Sequence, residues 1–193
     1  MNLHDHFGDS YDIVKRALLG WLAELGAWQA HPMFTSQDTS KEAATAFERL
    51  LGVPLLSREV ITTRTNREEY FAVCKQATNL LLDPDTGVSL KAGRPSPARV
   101  SAIELESFAR QRPTRLTLTF DQSFARGNAI ADIKRELAHF RERELAAFYY
   151  QSHASFLLVS LNASLVDRAR VHLIKKVGLP SKRIIDHKRP HER

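Results

Sequence analysis

Cysteine is almost absent: Cys74 stands alone in 193 residues, so no disulfide can form within the chain and a packed core must hold the fold. No run of about 18 apolar residues is present that could span a bilayer. The opening Met-Asn-Leu-His-Asp-His lacks the basic region and apolar core of a signal peptide. These features predict a reducing, cytoplasmic setting and no membrane partner. Gly-x-Gly-x-x-Gly is missing too, which removes the usual fingerprint of a dinucleotide cofactor. Glycine and proline, at 8 each, are too sparse for a fibrous or disordered chain.

What is there is the composition of one globular domain, 43% hydrophobic and 26% charged. The formal charge is +6 and the isoelectric point about 9.7. The excess is concentrated at the end, in Lys182, Arg183, Lys188, Arg189 and Arg193. The sequence therefore predicts a single domain over 1–180 and a basic tail over 181–193. Such a balance favours polyanionic partners, nucleic acid among them, although a solvated tail gives the same composition.

Hydrophobic periodicity predicts a helix over 10–25, carrying Ile13, Val14, Ala17, Leu18, Trp21, Leu22 and Leu25 on its apolar side and stopping at Gly26. A buried strand is expected over 27–34, then a helix capped by Ser40 and closed by Gly52 and Pro54. A further helix starts near Asn66. Leu80-Leu81-Leu82 reads as a buried strand ending in the turn Asp83-Pro84-Asp85-Thr86-Gly87. Residues 88–99, with Lys91, Arg94 and Arg99, read as a loop. Beyond it come a helix over 104–112, a strand over 116–120 and a helix over 129–143. The charged residues of that last helix, Glu136 included, are expected on a solvated face. Strands over 147–151 and 156–160 flank Ser152-His153-Ala154-Ser155, and a last helix runs over 165–177. Strand and helix alternate, so the expected fold is α/β: three layers, Rossmann-like, with a mainly parallel sheet and an antiparallel C-terminal hairpin.

In such sheets ligands bind outside the carboxyl ends of the strands. The residues expected there are His31, Asp83, Asp85, Asp121, Gln122, Ser123, Gln151 and His153. Asp83-Pro84-Asp85-Thr86-Gly87 is equally what a tight turn selects. A carboxylate closing a buried strand, as Asp121 does, must be paired, coordinated or hydrogen-bonded, and capping the next turn would satisfy it. Tyr149 and Tyr150 fall on opposite faces of one strand. Cys74, with no His or second Cys at motif spacing, receives no role.

Two constellations can be built from these residues. In one, Asp83, Asp85 and Asp121, with Glu104 in reserve, hold Mg²⁺ while Lys15 or Lys91 steadies a phosphate, as in a metal-dependent phosphodiesterase or nuclease. In the other, Asp83-Pro84-Asp85 cradles a base and the end of the first strand holds a nucleotide-like cofactor. A third reading is non-enzymatic: binding of nucleic acid or protein through the loop 88–99 and the basic tail.

Phe7-Gly8-Asp9-Ser10-Tyr11-Asp12-Ile13-Val14-Lys15, followed by Leu18 and Leu19, resembles the opening of ribosomal-RNA adenine-N6 methyltransferases and of three-Cys-motif partner-like proteins. Leu81-Leu82-Asp83-Pro84-Asp85-Thr86-Gly87 is similar to a Leu-Asp-Pro-Asp-Asn-Gly segment in relatives of that group. The resemblance implies a methyltransferase-type sheet with 80–83 as its fourth strand and 116–120 as its fifth. It further implies S-adenosylmethionine as cofactor, Asp83 orienting an acceptor amine, and Asp12 and Lys15 placing substrate. The methyltransferases carry Asp-Pro-Pro-Tyr where this chain has Asp83-Pro84-Asp85-Thr86. Their glycine-rich turn is replaced here by His31-Pro32-Met33-Phe34-Thr35. The leading expectation is a Rossmann-like protein whose polar cleft, built from Asp9, Asp12, Lys15, Asp83, Asp85, Asp121 and Gln122, with Gln151 and His153 beside it, handles a nucleotide or nucleic acid; in the non-enzymatic reading the same residues are turn and capping groups.

Overall fold

The computed structural model describes residues 7–36, 40–91, 93–124 and 129–186. Its first helix, α1 (Ser10–Leu22), starts where Asp9 accepts hydrogen bonds from the Tyr11 and Asp12 amides. The buried positions of α1 are Asp12, Lys15, Leu18, Leu19 and Leu22, a stripe at spacings of three and four. That stripe differs from the expected one. Ile13 is 53% exposed, and a charged pair, Asp12 and Lys15, continues the apolar face. Helix α2 (Lys41–Leu51) follows, capped by Ser40 and stopped by Gly52 in the left-handed region, and packs Ala44, Phe47 and Leu51 inward.

Six strands form a mixed sheet: β1 (Trp28–Pro32), β2 (Asn79–Asp83), β5 (Thr117–Phe120), β6 (Ala146–Gln151), β7 (Ser155–Ser160) and β8 (Ile184–Asp186). Their order is β1-β2-β5-β7-β6-β8. β1, β2 and β5 are parallel, with Pro32 opposite Asp83 and Leu82 opposite Thr119. β7 is antiparallel to both β5 and β6, and β8 is antiparallel to β6. The fold is thus α/β, with four strands running one way and two the other. The hairpin lies as the sequence implies, whereas residues 184–186, expected in a tail, supply a sheet strand. Residues 187–193 of that tail lie outside the described residues.

On the outer edge of β1 the segment 54–61 runs alongside it, in parallel, through bridges at Leu55 and Val60. The Ala30 amide donates to Pro54 O, and the Leu56 and Ile61 amides donate to Ala30 O and Phe34 O. The chain therefore leaves β1 toward one side, turns back past it, and pairs β2 on the other.

Alternate strand residues feed two separate cores, because successive side chains of a strand point to opposite faces. Leu81, Leu118, Phe120 and Phe156 join Leu18, Leu22 and Phe47 on the α1–α2 side. Leu80, Leu82, Leu157 and Tyr149 join the helices of the other face. Those are α4 (Ala102–Gln111), through Leu105 and Phe108, and α5 (Ala129–Glu142), through Ile133, Leu137 and Phe140. The short α3 (Arg67–Tyr70) adds Tyr70 there, while α6 (Ala163–Val171) covers the first face with Val166 and Ala169. Each fully buried Leu or Phe contributes about 1.5–3 kcal/mol by leaving water.

The stretch expected as a loop over 88–99 differs in its ends. β3 (Gly87–Ser89) and β4 (Arg99–Ser101) pair in parallel as a separate two-stranded sheet. Ser101 and Glu104 then form a capping box that starts α4.

Candidate functional site

β2 and β5 are neighbours, and each ends in a carboxylate at the same end of the sheet. Asp83 turns toward α1 and Asp121 toward α5, so the two belong to different buried clusters.

On the α1 side, the Lys15 ammonium lies 2.9 Å from Asp12 Oδ1 and 2.8 Å from Asp83 Oδ2. It also sits over the rings of Phe120, at 4.9 Å, and Phe47, at 5.8 Å. Asp12 Oδ2 accepts from the Gly8 amide. Burial opposes the charge on Lys15, yet Asp83 and Asp12 outweigh it and hold the ammonium's pKa above its ordinary value. Asp83 Oδ1 has no hydrogen-bond partner among the described residues. Two carboxylates and two aromatic faces thus enclose one cation, and the chain itself supplies that cation.

On the α5 side, the Tyr149 hydroxyl donates to Asp121 Oδ2 at 2.7 Å and is in close contact with Glu136 Oε2. Asp121 Oδ1 accepts from the Val88 and Ser123 amides, both at 3.0 Å. Gly87 lies against this oxygen with φ 127°; a Cβ there would overlap Asp121 Oδ1 and come within 2.9 Å of the Gln122 nitrogen. Burial, reinforced by Asp121, pushes the Glu136 carboxyl up to about 9, so it keeps its proton at neutral pH. Glu136 is buried, in contrast to the solvated position expected from sequence. Its spacing from Ile133 and Phe140 is the signal that could have found it, since these residues share one helix face.

Above these clusters lies a rim. Thr35, just past β1, donates to the exposed Asp85, just past β2, at 3.3 Å. Tyr11 stacks on the exposed His153 of the β6–β7 turn, with centroids 5.5 Å apart and planes at 24°. Gln122 reaches His153 O at 3.5 Å, and Arg183 donates to Gln151 O at 3.4 Å. Asp9 is taken up in capping α1.

The structure therefore brings Asp12, Lys15 and Asp83 together; Asp9 caps the helix that carries two of them, and Asp85, Gln122, Gln151 and His153 lie at or just past strand ends on the same end of the sheet. It does not bring Asp83, Asp85 and Asp121 together. Among the described residues no group of three or more His, Cys, Asp and Glu side chains is arranged to hold a metal ion. Glu104 is occupied elsewhere, gripped by Arg67 at 2.7 and 2.9 Å and by Ser101. His31 is fully buried, edge-on to Tyr70, and burial pushes its pKa down to about 4. Cys74 is buried, and its thiol is pushed up to about 12. Among the described residues, no helix is long and apolar enough to cross a membrane.

The segment that would cradle an S-adenosylmethionine cofactor after β1 is closed. Met33 donates its amide to Asp83 O, Phe34 O accepts from Ile61, and both side chains are completely buried. These residues do not fit the cofactor. No family model matches this chain, and no curated protein or solved structure matches it.

Proposed function

We propose that this protein is a Rossmann-like domain that binds a nucleotide or nucleic acid across the carboxyl ends of β1, β2 and β5. The observation that carries this reading is the reversal of strand order at β1, with the segment 54–61 on one side and β2 on the other. A reversal of this kind marks a crevice outside the carboxyl ends of the two strands, where open α/β sheets bind their ligands; Met33 and Phe34 fill its base, so the ligand lies along the rim. The rim over that crevice has the chemistry for a nucleotide. The Asp85 carboxylate accepts hydrogen bonds from hydroxyl or exocyclic amino groups, Gln122 both donates and accepts, and Tyr11 and His153 offer ring faces. Lys15, Asp12 and Asp83 form the rigid floor, with the one ammonium shared between the two carboxyl groups. A net charge of +6 adds a long-range attraction for phosphates.

Titration of the protein with labelled single-stranded oligonucleotides and with mononucleotides, at several salt concentrations, tests this reading. Binding that weakens steadily as salt rises is the expected outcome, because phosphate neutralisation releases counterions. Absence of binding to any of these ligands at low salt would overturn it.

A further inference from the structure

A continuous aromatic ladder climbs from the buried ion pair to the surface. The Lys15 ammonium sits over Phe120; Phe120 and Tyr11 form a T-shaped pair with centroids 5.5 Å apart; Tyr11 stacks on His153. Phe120 also packs edge-to-face with Phe156 at 5.7 Å and belongs to the buried core, which holds the lower rungs. The top rung reaches the surface: His153 is exposed and Tyr11 is half-buried. The turn that carries His153 is held firmly, with Ser152 bonded to Ala154 on both sides and Gln122 on the His153 carbonyl. A ring held in a fixed plane at the surface has already lost the entropy that stacking would otherwise cost. Arg183 donates to the carbonyl of Gln151, two residues before His153 in the sequence.

We propose that the Tyr11–His153 stack is the platform for an unpaired base of a single-stranded nucleic acid, with Arg183 on the adjoining phosphate. This inference rests on the reading of the carboxyl-end crevice given above and names its ligand. An aromatic face tolerates every base, because each base has a π-face, and a paired base inside a duplex is not available to it. A cation held at the start of the same turn supplies the contact to the strand's backbone.

The test compares a single-stranded oligonucleotide of about ten residues, its duplex and the matching mononucleotide, against the parent protein and four variants. The parent is expected to prefer the single strand, with ribo- and deoxyribo-strands run separately to distinguish the two sources of an unpaired base. His153→Ala and Tyr11→Ala are each expected to weaken binding by roughly ten- to a hundredfold. Tyr11→Phe is expected to retain affinity. His153 is exposed, so its variant reports on binding even if Tyr11→Ala disturbs the packing on Phe120. Arg183→Ala is expected to lower the salt slope by about one phosphate contact. Tight binding by the parent with unchanged affinity in His153→Ala and Tyr11→Ala would overturn the platform and leave the crevice reading standing. Equal or stronger binding of the duplex would also overturn it. No binding by the parent would overturn both.

Discussion

The Lys15 ammonium lies 2.8 Å from Asp83 Oδ2 and ties helix α1 to the carboxyl end of β2 across 68 residues of sequence. The contact is almost wholly out of water, so its worth depends on every charge being matched. Lys15→Met leaves Asp12 and Asp83 facing each other without a cation. A loss of about 3–5 kcal/mol in denaturant unfolding is expected, and Asp12→Asn/Lys15→Met/Asp83→Asn, which removes all three charges, is expected to recover part of it. The folded pKa of Lys15 lies above the ordinary 10.5, so its contribution is fully present below that pH and is lost as pH rises through the folded value. The parent should therefore lose stability on the alkaline side, and Lys15→Met should lack that component.

Glu136 works in the opposite sense to an ordinary carboxylate. Its folded pKa, about 9, lies above the usual 4.5. Between those values the unfolded chain releases the proton while the native protein keeps it, so stability falls as pH rises. The slope from this one group reaches at most about 1.4 kcal/mol per pH unit. Glu136→Gln cannot release a proton and still offers a donor to Tyr149. Unfolding curves measured from about pH 5 to pH 8 should show the variant gaining on the parent with rising pH; parallel curves would refute a Glu136 carboxyl protonated in the native state.

Gly87 should tolerate no side chain. Gly87→Ala combines a φ of 127° with an overlap on Asp121 Oδ1, and a loss of about 1–3 kcal/mol is expected. The disturbance should concentrate at the Val88 amide, whose hydrogen bond to Asp121 joins the β3–β4 sheet to the end of β5. Faster exchange of that amide, with the β6–β7 ladder unchanged, is the expected signature.

The main elements were legible in the sequence because their signals are local. Leu80-Leu81-Leu82 reads as a strand buried on both faces, Ser40 and Gly52 bracket α2, and the hairpin announces itself around His153. What was not legible depends on partners distant in sequence. The pairing of 54–61 with β1 rests on two isolated bridges and begins at a proline, so no strand pattern marks it. β3 and β4 are too short to show alternation. Asp83 and Asp121 both read as strand-end carboxylates. Which face each takes follows from strand pleat, and the pleat assigns them to separate clusters rather than one metal site. The resemblance implies that Lys15 places substrate; that it is the counter-ion of Asp12 and Asp83 follows only from the tertiary packing of α1 against β2.

Hydrogen exchange of the protein with and without a single-stranded oligonucleotide tests the central claim most directly. The crevice account predicts protection at residues 9–12, 35, 85–87, 122 and 151–154, on the carboxyl ends of the strands. Protection confined to the opposite end of the sheet, near Gly26, Asn79 and Arg112, would contradict it.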